Sequence, residues 1–250
     1  MVHSSKVESI LVTGGKSRFF KFLKNELNKY KIEFPKKKDF NILNINQINK
    51  YINKKKFSHL IHIAGLSRPM KMHDNNISKS IDLNIIGTAN IVKLCKKNKI
   101  KLIYFSTNYV YPGKSGDYRE NDPLYPINNY AWSKLGGECS VHMYTNSLIL
   151  RICMTDFPFV HKKAIQGAYS SFLYNKTVAK IIPYLLHEKG VLNIGGKRRD
   201  IYKFAKEFSK KKISKISINK LKKFPKDSSL NINKLKIILK KNKLEQKILL

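Results

Sequence analysis

Short apolar runs alternate with helical patterns over residues 1–150, and this alternation restricts the fold more than any other feature of the sequence. The run His59–Ala64 is typical of a strand buried on both faces of a parallel sheet. Helix-spaced isoleucines, such as Ile45, Ile48 and Ile52, lie between such runs. Strands and helices that alternate in this way predict an α/β fold with a parallel sheet and crossover helices.

Five strands are predicted in this regular part of the chain, and a sixth lies further on. The first helix, from about Ser17 to Tyr30, follows the turn Thr13–Gly15. After Ile152 the elements become shorter and Phe and Pro cluster, so we place a domain boundary there, between residues 1–152 and 153–250. The predicted strands are Ser9–Val12, Lys31–Phe34, His59–Ala64, Lys101–Phe105, Leu148–Ile152 and Val191–Ile194.

The bulk composition narrows the class of protein. No apolar run approaches the roughly 20 residues of a membrane span and no secretion signal pattern begins the chain, so we expect no membrane partner and a soluble cytoplasmic protein. The formal net charge of +34 suits anionic ligands, but the lysines are spread along the whole chain. Nucleic acid is therefore not expected as the main partner. Cys95, Cys139 and Cys153 lack zinc-site spacing and are expected to be reduced packing residues, with no metal site.

One pair of residues carries a possible reaction chemistry. Tyr130 and Lys134 are four positions apart, so on a helix they project from the same face. A phenol titrates near pH 10 and can act as a general acid at neutral pH only if a nearby cation stabilises its phenolate. Thr107 follows a predicted buried strand, and ligands of open α/β sheets bind at the carboxyl ends of strands. These three residues are our candidate catalytic group.

The residues around this group resemble a known family. The runs Phe105–Gly113, Glu120–Asp122 and Pro126–Glu138 are similar to those of extended short-chain dehydrogenases, and within them to dTDP-4-dehydrorhamnose reductases. Asn84–Asn90 resembles the helix segment with the family's active-site asparagine. Pro225–Leu235 resembles the family's C-terminal segment.

The resemblance implies a Rossmann-like doubly wound sheet with a small C-terminal substrate-binding subdomain, a nicotinamide dinucleotide cofactor and a nucleotide-sugar substrate. It implies that Thr107 orients the carbonyl, that Tyr130 donates the proton, and that Lys134 lowers the tyrosine pKa and holds the nicotinamide ribose. It also implies that Asn84 holds a water or backbone link behind Lys134. Relatives of this kind often form homodimers through the helix that carries the Tyr and the Lys.

The cofactor-binding residues follow the same resemblance, with departures. Ala64 and Gly65 correspond to the segment beside the cofactor, and Asp39 and Phe40 to the pair that contacts adenine. The first turn of the fold normally has three glycines, but here Gly14 is followed by Ser17 and Phe20. Weak or altered cofactor binding is therefore an open alternative.

Basic residues supply part of the predicted cofactor site. Ser17 can cap the first helix, and Gly15, Lys16 and Arg18 can help its amides to hold a phosphate. Lysines 36–38 follow the second strand, which favours NADP(H), with Lys36 near the 2′-phosphate, and leaves NAD(H) as the alternative cofactor. A solvated loop charge is the alternative for these lysines.

The predicted substrate-binding residues are Ser67, Arg68, Thr107, Asn108 and Arg151. The region 151–191 is shorter than in typical family members, and Phe157, Phe159 and His161 either line what remains of the substrate site or pack a small domain.

Three functions remain open on the sequence alone. The first is an NAD(P)H-dependent reductase of a 4-keto nucleotide-linked sugar. The second is an epimerase on the same scaffold, whereas a dehydratase is disfavoured because Asn108 does not offer the acid that this reaction requires beside Thr107. The third is a noncatalytic nucleotide-sensing or regulatory subunit, which the altered glycine turn favours and the intact Thr107, Tyr130 and Lys134 oppose.

Overall fold

A six-stranded sheet is the central feature of the protein. The computed structural model describes residues 8–53, 55–209 and 211–244. The strands are β1 Ser9–Thr13, β2 Lys31–Glu33, β3 His59–His62, β4 Lys101–Thr107, β5 Ser147–Ile152, β6 Met154–Thr155, β7 Lys163–Gln166, β8 Tyr169–Ser170, β9 Leu173–Tyr174, β10 Gly190–Ile194, β11 Arg199–Asp200 and β12 Ser214–Ser217. The sheet has the order β10-β5-β4-β3-β1-β2, with β1 parallel to β2 and β3, and β3 parallel to β4.

Helices connect these strands as the sequence pattern predicts. The α-helices are α1 Arg18–Glu26, α2 Ile45–Asn53, α3 Met72–Asn75, α4 Ile77–Ile81, α5 Gly87–Asn98, α6 Asn129–His142, α7 Asn175–Ile181, α8 Ile201–Glu207 and α9 Asn233–Lys241. Ile48 and Ile52 are the buried residues of α2, as their helical spacing predicts. The order of the sheet reverses direction between β1 and β3, and such a switch point opens a crevice at the carboxyl ends of the two strands.

The chain forms two compact units. Unit 1 comprises the described parts of Met1–Phe105, Gly136–Ile149 and Leu185–Gly190, and unit 2 comprises the described parts of Ser106–Leu135, Leu150–Tyr184 and Val191–Leu250. In unit 2, one apolar cluster surrounds Phe159 and Phe204, and another surrounds Tyr111, Tyr118 and Leu230. Short strands complete this unit in the pairs β11-β8, β12-β7 and β6-β9.

Several predicted element bounds differ from the structure by one to four residues, and two of the differences have a visible cause. β3 ends at His62 rather than Ala64. The amides of Ile63 and Ala64 leave the strand pattern because both donate to the hydroxyl of Thr13, at 3.2 Å. Helix α1 ends at Glu26 rather than near Tyr30, and the amide of Leu27 closes its last turn on the carbonyl of Leu23.

The three cysteines divide into two kinds. All three are free thiols, as predicted, and Cys95 and Cys153 are buried. Burial raises the pKa of the Cys95 thiol and raises that of Cys153 to about 11, so neither is an activated nucleophile. Cys139 is exposed, so its prediction as a packing residue is wrong.

Among the described residues, none of the helices is long and apolar enough to span a membrane.

Candidate active site

The turn after β1 is tight and lies close to the end of β3. Gly14 has a φ of +81°, and a Cβ atom added there would lie 2.8 Å from the amide nitrogen of Ala64. Only glycine therefore fits this position without strain. Next to it, a Cβ at Gly15 would lie 3.1 Å from the Cβ of Phe34. The first glycine of the expected cofactor turn thus keeps the close backbone approach that this turn requires.

A chain of buried hydrogen bonds supports this turn from within unit 1. The Thr13 hydroxyl lies 2.8 Å from His62 Nδ1, and His62 Nε2 lies 3.2 Å from the Thr88 hydroxyl. Thr88 donates its one hydroxyl proton to the carbonyl of Asn84, so it accepts from His62. These bonds assign the Nε2–H tautomer to a neutral His62, whose Nδ1 then accepts from Thr13. Strand β1, strand β3 and the segment with Asn84 are thereby fixed to one another.

Asn84 lies in a π-helical turn, Asp82–Ile86, and is buried. Its side chain accepts from the amide of Leu66 at 2.7 Å and donates to the carbonyl of Leu66 at 2.8 Å, so it holds the loop that follows β3. A Cβ at Gly65 would come within 2.6 Å of Asn84 Oδ1. A Cβ at Gly137 of α6 would come within 2.3 Å of the Asn84 carbonyl. These glycines permit the close contacts that surround Asn84.

Helix α1 begins at the glycine turn even though two expected glycines are replaced. The Ser17 hydroxyl accepts from the amide of Phe20 and caps the helix, as predicted from the sequence. The ring of Phe20 is buried, 4.8 Å from the ring of Phe34. Lys16 and Arg18 are exposed beside the helix start. Since Gly14 keeps its turn and α1 keeps a capped start, these residues fit a dinucleotide pyrophosphate.

Glu33, the last residue of β2, has a carboxylate that is already bound by neighbouring side chains. Glu33 accepts from the Tyr51 hydroxyl at 2.8 Å and forms an ion pair with Lys55. Burial raises the pKa of Glu33, but the hydrogen bonds from Lys55 and Tyr51 outweigh it, and the net shift is downward. Lys36 and Asp39 are exposed, whereas Phe40 is buried with its ring edge against Tyr51.

Unit 2 contains the predicted catalytic residues Thr107, Tyr130 and Lys134. Thr107 is the last residue of β4, and its hydroxyl accepts from the amide of Tyr109 at 3.3 Å, which starts a short 3-10 helix, Asn108–Val110. The ring of Tyr109 meets that of Tyr130 edge to face, with centroids 6.4 Å apart. Tyr109 therefore places Tyr130 in the neighbourhood of the strand end at Thr107.

Helix α6 arranges Tyr130 and Lys134 on successive turns. The Asn128 side chain accepts from the amide of Ala131 at 2.9 Å, which caps the start of the helix. The Ser133 hydroxyl donates to the Tyr130 carbonyl. Tyr130 and Lys134 are both half-buried, whereas Trp132 between them is exposed. The helical register expected from their four-residue spacing is present.

The C-terminal segment holds the residue beside Thr107. Asn108 is buried, and its Nδ2 donates to both the carbonyl and the hydroxyl oxygen of Ser228, at 3.0 Å. The Ser228 hydroxyl continues to Ser170, at 3.2 Å, and Ser170 to Cys153, at 3.1 Å. Sequence reasoning missed Ser228 and Tyr109, although the family-like segment Pro225–Leu235 and the run Phe105–Gly113 contained them.

The other predicted substrate residues differ in exposure. Ser67 and Arg68 are exposed in unit 1. Arg151 is only 2% exposed, and its guanidinium donates to the Tyr111 hydroxyl and the Glu120 carbonyl, both at 2.8 Å. Arg151 therefore stabilises unit 2 from the inside, and a substrate contact for it stays a prediction.

Comparisons with known proteins agree with this arrangement. The family profile described as RmlD substrate binding domain matches residues 8–155. The solved structure of dTDP-4-dehydrorhamnose reductase from Bacillus anthracis, in complex with NADP, aligns with a TM-score of 0.83 and 23% identity, over 93% of this chain and 92% of that one. This likeness confirms the predicted Rossmann-like fold.

Two curated relatives differ in name. Methionine adenosyltransferase 2 subunit beta of Pongo abelii is 32% identical over 107 residues, which are 43% of this chain and 32% of that protein. ADP-L-glycero-D-manno-heptose-6-epimerase of Brachyspira hyodysenteriae is 31% identical over 110 residues, 43% of this chain and 33% of that protein. The chain thus spans about a third of the length of these relatives.

Proposed function

Because the profile covers more than half of its length, the chain belongs to the RmlD substrate-binding domain family, and we propose that it is an NAD(P)H-dependent reductase of a 4-keto nucleotide-linked sugar. The family resemblance predicted from the sequence is thereby confirmed. The observation that carries the proposal is the position of Thr107 at the end of β4, with Tyr130 brought near through Tyr109 and Lys134 one helical turn further.

In this proposal three side chains of unit 2 bring about the transfer of a proton to the sugar carbonyl oxygen. When bound, the nicotinamide cofactor supplies the hydride. The Thr107 hydroxyl orients the sugar carbonyl, and the Tyr130 phenol gives its proton to the carbonyl oxygen, so that no free alkoxide forms. The Lys134 ammonium favours the resulting phenolate and binds the nicotinamide ribose. Asn84 supports Lys134, and positioning of the reactants contributes much of the rate.

We propose NADP(H) as the preferred cofactor. An acid at the end of the second strand binds the ribose hydroxyls of NAD, but the Glu33 carboxylate is engaged by Tyr51 and Lys55. Lysines 36–38 are exposed beyond this strand and carry the charge that suits a 2′-phosphate. Gly14, Gly15, Lys16, Ser17 and Arg18 would hold the pyrophosphate, Ala64 and Gly65 would lie beside the cofactor, and Asp39 and Phe40 would contact its adenine.

We assign cofactor binding to residues 1–152 and substrate binding mainly to residues 153–250, the two regions predicted from the sequence. Ser67 and Arg68 are exposed and can meet the diphosphate of a nucleotide sugar. Asn108 and Arg151 are also assigned to the substrate site. Asn108 lies next to Thr107, and Arg151 is held by Tyr111 and the Glu120 carbonyl. A homodimer through α6 completes the proposal, and light scattering of the purified chain tests it.

A regulatory subunit is the second candidate. The likeness to methionine adenosyltransferase 2 subunit beta favours it, as does the replacement of two turn glycines by Ser17 and Phe20. A third candidate, an epimerase, draws support from the heptose-6-epimerase relative. Both alternatives use the same nucleotide-binding turn, so cofactor binding alone does not separate them from the reductase.

One experiment separates the three candidates. The protein is incubated with NADPH or NADH and a panel of keto nucleotide sugars, and in parallel with NADP+ or NAD+ and the corresponding hydroxy nucleotide sugars, and both cofactor turnover and sugar products are measured. Stoichiometric oxidation of cofactor with a hydroxyl formed at sugar C4 supports the reductase. Sugar isomerisation without net oxidation identifies the epimerase. Cofactor binding without any turnover supports the regulatory subunit and contradicts the reductase.

A further inference from the structure

Two histidines and a glutamate meet at the edge of unit 1 that lies away from the glycine turn. Glu8 immediately precedes β1, His59 is the first residue of β3, and His187 precedes β10. All three belong to unit 1. Gly14 follows the opposite, carboxyl end of β1, so these three side chains take no part in the predicted cofactor turn.

The three side chains bring metal-ligating atoms together. His59 Nδ1 lies 3.9 Å from Glu8 Oε1, and His187 Nε2 lies 3.8 Å from Glu8 Oε2. One ligating atom from each residue lies within 4.8 Å of the other two. Donor atoms about 2.0–2.1 Å from a tetrahedral Zn²⁺ are roughly 3.3–3.5 Å apart, so these side chains need to close by up to about 1.5 Å. The His187 side chain is 75% exposed and can make that movement.

His59 is already held in position. Its ring is buried, Nδ1 lies 2.9 Å from the Ser58 hydroxyl, and the imidazole also hydrogen-bonds to the backbone of Leu186. A hydrogen bond from the ring nitrogen that does not ligate orients histidines that bind metals, and the Ser58 hydroxyl would have to release Nδ1 for that atom to reach the ion. The ring of His187 stands at 78° to that of His59, with centroids 5.4 Å apart.

We propose that Glu8, His59 and His187 form a binding site for a transition-metal dication, with Zn²⁺ the best fit to two imidazoles and one carboxylate. Such a set leaves a fourth position for water. The ion would join the starts of β1 and β3 to the segment before β10. Its role would therefore be to stabilise or regulate unit 1 and would not depend on the proposed reductase activity.

Nearby charges set the expected strength of the site. Lys101 begins β4, and its charge acts on His59. Within the described part of the chain its Nζ is buried without a hydrogen-bond partner. The positive charge of this ammonium repels a metal dication bound at His59. Replacing Lys101 with Met should therefore tighten metal binding, by roughly fivefold.

The test is a calorimetric titration of the full chain, freed of metal by a chelator and then desalted, with Zn²⁺ alone. We expect one ion per chain, at least about tenfold weaker binding in His187→Ala and Glu8→Gln, and a thermal shift with Zn²⁺ in the wild type that is smaller in both of these variants. His142→Ala is the matched control, because His142 is an exposed histidine that pairs with Glu138, and its binding should equal that of the wild type.

Three results would overturn the proposal. One is wild-type affinity in His187→Ala with circular dichroism showing an intact fold. Another is the loss of binding in His142→Ala, or in a variant of His3, which lies outside the described residues, while His187→Ala still binds. The third is the absence of a Zn²⁺ isotherm in the wild type. Because His187 is exposed, its replacement should not unfold the chain.

Discussion

The side-chain amide of Asn108 donates to both the carbonyl and the hydroxyl oxygen of Ser228, which lies 120 positions later in the chain. Asn108 Oδ1 in turn lies 3.5 Å from the hydroxyl of Thr107. The C-terminal segment thus holds the residue next to the proposed carbonyl-orienting hydroxyl. This link connects the family-like segment Pro225–Leu235 with the proposed catalytic residues, which lie more than 90 positions earlier.

Replacing Asn108 with Asp tests this link. The carboxylate would face the Ser228 carbonyl with an acceptor in place of a donor, so we expect the free energy of unfolding to fall by about 2–3 kcal/mol. Ser228→Ala keeps the carbonyl acceptor and should cost only about 1 kcal/mol. Urea denaturation measures both values, and equal stability of Asn108→Asp and the wild type would contradict the link.

Gly14 and Gly190 form a matched pair for testing the glycine turn. Both have a positive φ, +81° and +83°, but a Cβ at Gly190 meets nothing within 4 Å. Gly190→Ala should therefore lose only about 1–2 kcal/mol of stability from its backbone conformation. Gly14→Ala should lose about 1–3 kcal/mol more, because its Cβ contacts the backbone of Ala64. Equal losses in the two variants would show that the close approach at Gly14 is absent.

Thr13→Val tests the hydrogen-bond chain below that turn. The Thr13 hydroxyl serves His62 and the amides of Ile63 and Ala64, so its loss leaves buried polar groups without a partner. We expect a loss of about 2–3 kcal/mol in unfolding free energy. Thr145→Val, at an exposed position, makes the same chemical change as a control and should change stability by under about 0.5 kcal/mol. A Thr13 variant as stable as this control would refute the network.

Thiol labelling tests the burial of the cysteines. Cys139 is exposed, whereas burial raises the pKa of Cys95 and raises that of Cys153 to about 11. A thiol-specific disulfide reagent should therefore label one cysteine of the native chain between pH 7 and 9, and the other two only after denaturant is added. Mass spectrometry of the labelled peptides identifies the site, and rapid native labelling of Cys153 would be inconsistent with the structure.

The sequence was sufficient for the sheet and for the placement of Tyr130 and Lys134 on one helix, while their catalytic role stays a prediction. The main buried strands are long enough to stand out as apolar runs. Tyr130 and Lys134 are close in sequence, so one helix places both. Contacts over long sequence separations could not be inferred. The bond from Asn108 to Ser228, the ring contact of Tyr109 with Tyr130, and the enclosure of Arg151 depend on tertiary packing that local periodicity does not encode.

Short elements were the other gap. Strands β6, β8, β9 and β11 have two residues each, too few for any alternation to be visible. The burial of Phe20 could not be predicted from the sequence pattern either, because the pattern indicated only that a large ring replaces glycine. The structure places that ring against Phe34, a residue on the next strand end.

Turnover of NADPH by the Tyr130→Phe variant tests the central claim most directly. Loss of the phenolic proton should reduce kcat by about 10²–10⁴-fold on a keto nucleotide sugar that the wild type reduces, with NADPH affinity retained. Tyr125→Phe removes the same hydroxyl from a side chain that is 63% exposed and should keep wild-type kcat. A Tyr130→Phe enzyme that reduces the sugar as fast as Tyr125→Phe would contradict the assignment of Tyr130 as proton donor.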